Sequence, residues 1–235
     1  MRKVATAIGL SLAILLAAPL ASESVVSHYR RWQASKLLAT VRGLHPGTTT
    51  EPEARAVLKP FSRYEERSER RREGILVSET YYQFYNSGPD WTNSLARLLA
   101  SIPVRITLPW TRFSVSLDFV DGLLAEIHIS EMQEDQPGYP HPNAATVSVL
   151  STRVGALPRS PYGPLPADFN GYSEYSRSSG GLDQNGNLTS FRCCYERSIN
   201  IDERATPAQL SQSLNFQLHC LTSFLRCKDD REILP

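Results

Sequence analysis

Residues 112–130 alternate between apolar and polar side chains in two consecutive runs, the pattern of two β-strands joined by a turn. The apolar members are Phe113, Val115, Leu117 and Phe119 in the first run and Leu123, Ala125, Ile127 and Ile129 in the second. Each run predicts a strand with one apolar face. The polar face of the pair is predicted to carry Arg112, Asp118, Glu126 and His128.

The turn between these runs decides which side chains share a face. A two-residue Asp121-Gly122 turn would place the two apolar sets on opposite faces. A three-residue loop, Val120 to Gly122, pairs Phe119 with Leu123 and brings both apolar sets to the same face. Gly122 then occupies the left-handed position that such a loop needs. We therefore predict a hairpin with a three-residue loop.

Helices are predicted towards both ends of the chain. An apolar stripe predicts a helix over 25–44, and a Thr-x-x-Glu capping box at Thr50 predicts a short second helix that Pro60 ends. A second capping box at Thr206 begins a final helix. Its apolar face is formed by Leu210, Leu214, Leu218, Leu221 and Leu225.

The fold prediction is α+β: N-terminal helices, a central antiparallel sheet with the hairpin at 112–130, and a C-terminal helix bonded by a disulfide to the last strand. Further strands are expected at 75–85, 104–108, 146–154, 172–176 and 188–201. The chain divides into a leader or anchor at 1–21, a helical segment with a charged run at 22–74, and the sheet with its C-terminal helix at 75–235.

The charge of the chain is close to balanced. Removing residues 1–21 takes away two bases, Arg2 and Lys3, and no acid, so the formal charge falls from +1 to −1. The densest charged run, 63–73, mixes both signs evenly and predicts a solvated helix or loop with its own ion pairs. Nothing in this balance favours nucleic acid or an anionic membrane as a partner.

The first 21 residues predict export or anchoring. Arg2 and Lys3 precede an almost wholly apolar stretch from Ile8 to Leu20. Cleavage after Ala21 would put Pro19 at the third position before the cut, so a signal peptide and an uncleaved N-terminal anchor both remain possible. Either one places the rest of the protein outside the cytoplasm, in a periplasm or secreted, with membrane contact only through this segment.

The four cysteines are candidates for disulfide bonds, which fits an exported protein. They lie in the last quarter of the chain, at Cys193, Cys194, Cys220 and Cys227. The last two would be about 10.5 Å apart along a continuous helix, too far to join. We therefore expect one bond from the last strand to the C-terminal segment, with a stabilisation of roughly 3.5 kcal/mol.

The sequence predicts no catalytic, cofactor-binding or metal-binding residue. A zinc site from the cysteines and His219 has the wrong ligand spacing. The alternative left open is an exported hydrolase in which His128 meets acids on the polar sheet face; the acids considered are Asp118, Asp121, Glu126 and Glu131. An open cleft holding His128 with two carboxylates would favour that enzyme, and a filled face would oppose it.

The leading functional hypothesis is a non-enzymatic exported or envelope-anchored protein that contacts another envelope or extracellular protein. Its contact surface would be the sheet or loops rich in tyrosine and proline, since aromatic-polar side chains in loops often serve contact. The candidate contact residues are Tyr139, Tyr162, Tyr172 and Tyr175. An equally good interpretation is that these tyrosines only cover the core.

Two short stretches resemble known families. Residues 37–58, with Leu44-x-Pro-Gly-Thr-Thr and Glu53-Ala54, resemble the helix-turn-helix opening of the small outer-membrane assembly lipoproteins related to SmpA and OmlA. That resemblance implies two helices on a small antiparallel sheet, although the lipidated cysteine of the family is missing. The C-terminus, from His219 to Pro235, resembles that of uncharacterised exported or anchored proteins of soil bacteria, which implies an envelope location.

Overall fold

The computed structural model of the 235-residue chain describes residues 24–72, 75–86, 110–134, 143–154, 169–182, 188–222 and 233–235. Helix α1 covers 24–41 and helix α2 covers Glu51–Leu58, followed by a 3-10 segment at Lys59–Tyr64. Helix α3 covers Pro207–Ser213, and a second 3-10 segment covers Leu218–Leu221. The strands are β1 (Glu65–Arg72), β2 (Ile75–Asn86), β3 (Trp110–Val120), β4 (Leu123–Glu134), β5 (Asn143–Leu150), β6 (Tyr172–Leu182) and β7 (Leu188–Ile201).

The seven strands form one sheet in the order β1-β2-β3-β4-β5-β7-β6. Neighbouring strands are antiparallel except β5 and β7, which are parallel. The prediction of an α+β fold is confirmed, and the prediction of a wholly antiparallel sheet is wrong. The parallel pair arises because β7 returns along β5 and leaves β6 at the sheet edge.

One face of the sheet is covered by helices and forms the main core. Leu37 and Val41 of α1 and Leu58 of α2 are buried in the same cluster as Phe113 and Ile129 of the central hairpin. Residues 45–51 also bond to this hairpin, since Glu51 N donates to Gly122 O and Leu124 N donates to Thr49 O, at 2.8 and 2.9 Å. The predicted helices at the N-terminal side of the sheet are confirmed, with the capping box at Thr50 as expected.

The register of the central hairpin corrects the predicted loop. The strands pair Val120 with Leu123 and Phe119 with Leu124, so the turn is the two-residue Asp121-Gly122 turn, with φ values of 51° and 77°. The register then shifts next to Asp118, and Ala125 is the extra residue of a β-bulge. The bulge brings Ile127 and Ile129 to the face of the first apolar set, whereas Ala125 packs with Val77 and Val120 in a separate cluster. The predicted sharing of faces is therefore confirmed for Ile127 and Ile129, and it is wrong for Leu123 and Ala125, as is the predicted loop.

The charged run is a second correction. It forms strand β1, antiparallel to β2 in the sheet, rather than a solvated helix or loop. Both faces of β1 are polar, because charged residues occupy seven of its eight positions. Hydrophobic periodicity, which identified the other strands, therefore gives no signal for β1.

The C-terminal segment is a third correction. Helix α3 begins at the predicted capping box and ends at Ser213, instead of continuing through Leu225. After it, Leu214, Phe216 and Leu218 are buried while Asn215 and Gln217 between them are exposed. This period-two burial belongs to extended chain, and Gln217 N donates to Ile233 O at 2.7 Å.

The predicted disulfide between the last strand and a C-terminal helix is also corrected. No disulfide is found between two residues whose side chains the structure describes, and the helix that was to receive the bond ends before the first cysteine of that region. Cys220 lies in the second 3-10 segment, is fully buried and is not a free thiol. The side chains of Cys193 and Cys194, and the whole of Cys227, lie outside the described residues.

Other predictions also fall outside the described part of the chain. They concern the leader or anchor at 1–21 and the strand at 104–108. Among the residues that the structure describes, no helix is long and apolar enough to cross a membrane.

Candidate functional site on the polar sheet face

Three carboxylate side chains lie side by side across the middle of the sheet, on the face away from the helices. Glu79 of β2 pairs with Asp118 of β3, which pairs with Glu126 of β4. We call these three residues the acid row. The bulge at Ala125 is what keeps Glu126 opposite Asp118 on this face. Because strands are about 4.8 Å apart, the row spans roughly 10 Å.

A row of neutral polar side chains lies directly beside the acid row. Ser116 of β3, His128 of β4 and Ser148 of β5 are successive cross-strand partners. The Ser148 hydroxyl is hydrogen-bonded to His128 Nδ1 at 2.9 Å. Ser116 Oγ donates to Glu79 Oε1 at 2.9 Å and lies 3.3 Å from Asp118 Oδ1. The two rows therefore form one connected polar surface.

Most of this surface is shielded from solvent. Asp118 and Glu126 are 3% and 1% exposed, and His128 is partly buried. Burial, reinforced by the charge of Glu79, raises the pKa of Asp118 to about 6. Burial, with the charge of Asp118, raises the pKa of Glu126 to about 8. Burial lowers the pKa of His128 to about 4, so the imidazole is neutral at pH 7.

Glu126 has the fewest hydrogen bonds of the three carboxylates in the acid row. Neither of its carboxylate oxygens makes a hydrogen bond. The Ser148 hydroxyl is near enough to oppose the rise in its pKa slightly, but it bonds to His128 instead. Since a buried carboxylate without partners is costly, Glu126 is held in the neutral form at pH 7 and retains unused hydrogen-bonding capacity.

A positive charge reaches the row from the sheet edge. Arg70 of β1 places a guanidinium nitrogen 3.0 Å from Glu79 Oε1 and 3.7 Å from Asp118 Oδ2. Next to this contact is a cavity of about 290 Å³. It is lined by Glu66, Arg67, Ser68, Glu79 and Tyr81. Glu79 therefore belongs to both the cavity wall and the acid row, and links them.

The donor set does not form a metal centre. Within the described ranges, no group of three or more histidine, cysteine, aspartate or glutamate side chains is arranged to hold a metal ion. The chemistry available here is hydrogen bonding to, and charge pairing with, an organic group, together with proton exchange at two carboxyls of raised pKa.

The acids considered for a hydrolase lie in three different places. Asp118 and Glu126 lie on one face with His128, while Asp121 is exposed in the turn. Glu131 lies on the helix-covered face, paired with Phe113 and Ala145. The face that holds His128 is closed over the two acids rather than open as a cleft, which is the arrangement expected to oppose the enzyme.

The candidate contact tyrosines are only partly described. Tyr172 is in β6 on the helix side, packs against the main core and donates its hydroxyl to Glu174 Oε2 at 2.9 Å. This supports a covering role for Tyr172. The backbone of Tyr175 pairs with Ser198, but its side chain, like all of Tyr139 and Tyr162, lies outside the described residues.

Glu79, Ser148 and Arg70 were not among the candidates from sequence. Glu79 and Arg70 lie on strands whose register relative to β3 is fixed only by the folded sheet. Ser148 alternates with Val147 and Val149 in β5, which shows its face but not its neighbour. The available signal was alternation, which assigns a face without identifying cross-strand partners.

Comparison with known protein families, with curated proteins and with solved structures finds no match to this chain.

Proposed function

We propose that the chain is a non-enzymatic binding protein acting outside the cytoplasm, and that its polar sheet face binds ligands bearing alkylammonium groups. The observation that carries the ligand class is the Glu126 carboxyl, buried with both oxygens lacking a hydrogen bond. An ammonium group donates three hydrogen bonds and attracts the ionised form of the carboxyl.

The acid row also suggests the shape of the ligand. Its three carboxyls are spaced by one strand each, over roughly 10 Å. The cavity lies at the Glu79 end of the row. A linear aliphatic diamine or polyamine, or the lysine side chain of an envelope or extracellular partner, presents a charge at the end of a slim apolar stem. Such a group needs less displacement of packed side chains to reach a buried carboxyl than a bulky cation does.

Titration calorimetry with spermidine and putrescine tests the proposal, with 1,4-butanediol as the uncharged comparison. We expect the amines to bind at pH 7.5 and the diol not to bind. Binding should release about one proton from Glu126, measured as a dependence of the heat on the buffer's ionisation enthalpy. Absence of binding by both amines would refute the proposed ligand class.

A matched pair of variants locates the site. Glu126→Gln keeps the shape of the neutral carboxyl but cannot ionise, so we expect spermidine affinity to fall at least tenfold. Glu131→Gln makes the same change in another buried, unpartnered carboxyl on the opposite face of β4. The affinity of Glu131→Gln for spermidine should match that of the unchanged protein. Equal losses in both variants would show a general effect on folding instead of a site at Glu126.

An exported hydrolase is the second candidate, favoured by the pKa values of Asp118 and Glu126. At pH 7 a carboxyl of pKa about 6 is mostly ionised and one of pKa about 8 mostly protonated, as a base and acid pair requires. Turnover of nitrophenyl esters or glycosides that disappears in Glu126→Gln would favour it over binding. Closure of the face over these carboxyls opposes it.

The location outside the cytoplasm is proposed from the N-terminal pattern of Arg2, Lys3 and the following apolar stretch. Cell fractionation of the native host tests it, with intact mass to show whether residues 1–21 remain. Recovery of the intact chain from the cytosol would contradict this part of the proposal.

A further inference from the structure

Strand β1 forms one edge of the sheet and is exposed along most of its length. It pairs with β2 on one side, and none of the other described strands pairs with its outer side. Glu66, Arg67, Ser68, Glu69 and Arg71 are all exposed. An edge of this kind offers backbone N–H and C=O groups to another strand.

The charges of β1 are arranged symmetrically about its one uncharged residue. The strand reads Glu-Glu-Arg-Ser-Glu-Arg-Arg-Arg from Glu65 to Arg72, with Ser68 as the uncharged position. Moving outward from Ser68, each acid on one side corresponds to a base on the other. Two copies of this strand therefore place opposite charges side by side when they pair antiparallel about Ser68.

Backbone geometry limits the registers in which two copies of β1 can pair. In an antiparallel pair, two opposed residues must both direct their backbone groups towards the shared edge, or both away from it. Since these directions alternate along a strand, a two-fold axis relating two copies must pass through a residue, not between residues. That residue then faces its own copy.

Only one of these registers avoids like charges at the centre. An axis at Arg67, Glu69 or any other charged position places that residue opposite itself. An axis at Ser68 pairs Glu65 with Arg71, Glu66 with Arg70 and Arg67 with Glu69 of the second copy. Every charged residue from Glu65 to Arg71 then faces the opposite charge, and the two-fold relation repeats each pair.

We propose that a second copy of this chain pairs edge to edge with β1, antiparallel and centred on Ser68, to form a symmetric dimer with a continuous sheet. Charged edge strands commonly block such pairing. Here the charges block every other register of self-pairing and favour this one. The contact is isologous, so it closes at two copies and does not propagate.

The first test is the mass of the full chain in solution by light scattering at low and high salt. We expect about twice 26.3 kDa at micromolar to submillimolar concentration, with dissociation promoted at least several-fold by 0.5 M salt because exposed ion pairs are screened. A monomer throughout this range refutes the proposal, as does a dimer with no response to salt.

Charge exchange at positions 67 and 69 tests the register. Arg67→Glu places two acids in opposition, and Glu69→Arg places two bases in opposition, so each variant should dimerise at least tenfold more weakly. Mixing the two variants should restore a heterodimer, because each acid then faces a base again. Unchanged dimerisation of the single variants, or no recovery on mixing, overturns the proposed register. Circular dichroism of each variant confirms that it is folded.

Cross-linking tests the position of the two-fold axis. Ser68→Cys places the introduced thiols opposite each other, so mild oxidation should give a covalent dimer on non-reducing gels. The matched control is Glu69→Cys, whose thiols face Arg67 of the other copy and should cross-link at least tenfold less. The unchanged chain gives the background from its native cysteines. Equal cross-linking of the two variants would contradict an axis at Ser68.

Discussion

The two faces of the central sheet are both buried, but they are built from opposite kinds of side chain. On β3, Phe113 faces the helices at 0% exposure, and its neighbour Ser114 faces the other way at 4% exposure. On β4, Ile127 lies on the helix face and Glu126 on the polar face. Burial alone therefore does not identify the stabilising core. The helix face is stabilised by apolar packing, whereas the polar face carries an electrostatic cost that suits a binding site.

The difference between the faces depends on the register of β4 after the bulge at Ala125. Inserting an alanine between Glu126 and Ile127 adds a residue that this bulge does not absorb, so the rest of β4 turns over and directs His128 into the helix-side core. We expect loss of the cooperative fold, with a destabilisation above about 5 kcal/mol, comparable to the whole stability of many domains. Urea denaturation followed by circular dichroism measures this effect.

The control for this insertion is Ala125→Gly, which keeps the length of β4 and the bulge. It should fold, with a loss of about 1 kcal/mol or less. A folded, cooperative insertion variant would show that the register of β4 after the bulge does not separate the two faces.

The second prediction compares the two buried glutamates by pH. Glu126 has a pKa of about 8 when folded and near 4.5 when unfolded, so between these values the folded state holds the extra proton. Its stabilisation is complete below pH 4.5 and is lost as the pH rises to 8. Between pH 6.5 and 8 we expect a loss of about 2 kcal/mol from this group.

Substitution separates the contribution of Glu126 from that of Glu131. Burial also raises the pKa of Glu131. Glu126→Gln should lower the slope of unfolding free energy against pH by about one proton in that range, and Glu131→Gln should remove a separate portion. The window avoids most of the titration of Asp118, with a folded pKa of about 6, and of His128, with a folded pKa of about 4. An unchanged slope in Glu126→Gln would show that this carboxyl is ionised in the folded protein.

The smallest expected effect concerns the turn that precedes the bulge. Gly122 has φ of 77°, and a Cβ added there meets no atom within 4 Å. Gly122→Ala should therefore cost only the conformational penalty of a left-handed alanine, about 1 kcal/mol. Thermal unfolding measures it. A much larger loss of stability would mean that the turn, as well as the register after Ala125, keeps the two faces apart.

The sequence predicted elements well where hydrophobic periodicity was strong, and it predicted contacts poorly. The pattern located α1, α2 and strands β2 to β4, because each carries a regular apolar face. It missed β1, since Glu65–Arg72 has no apolar position to mark a period. It extended α3 too far, because Leu214 and Leu218 fit a helical stripe as well as the extended alternation that includes Phe216.

Only part of the candidate site could be predicted from the sequence, for a similar reason. Asp118, Glu126 and His128 share a hairpin, so local alternation placed them together. Glu79 joins them only through the pairing of β2 with β3, which spans a long stretch of chain. Glu131 was a candidate for the same face, but the alternation of β4 beyond the bulge places it on the other one.

Among the described strands, the one parallel pair, β5 with β7, sets an order of assembly during synthesis. Strands β1 to β5 pair with neighbours in sequence, so this meander can begin to form when residues up to 150 have emerged. Strand β7 must be synthesised before Ala144 of β5 can pair with Glu196 of β7. Strand β6 forms a hairpin with β7. Until then, β5 is a temporary edge with open backbone groups. A growing chain therefore has its greatest exposure to mispairing after β5 and before β7, which is the interval in which a chaperone would matter most.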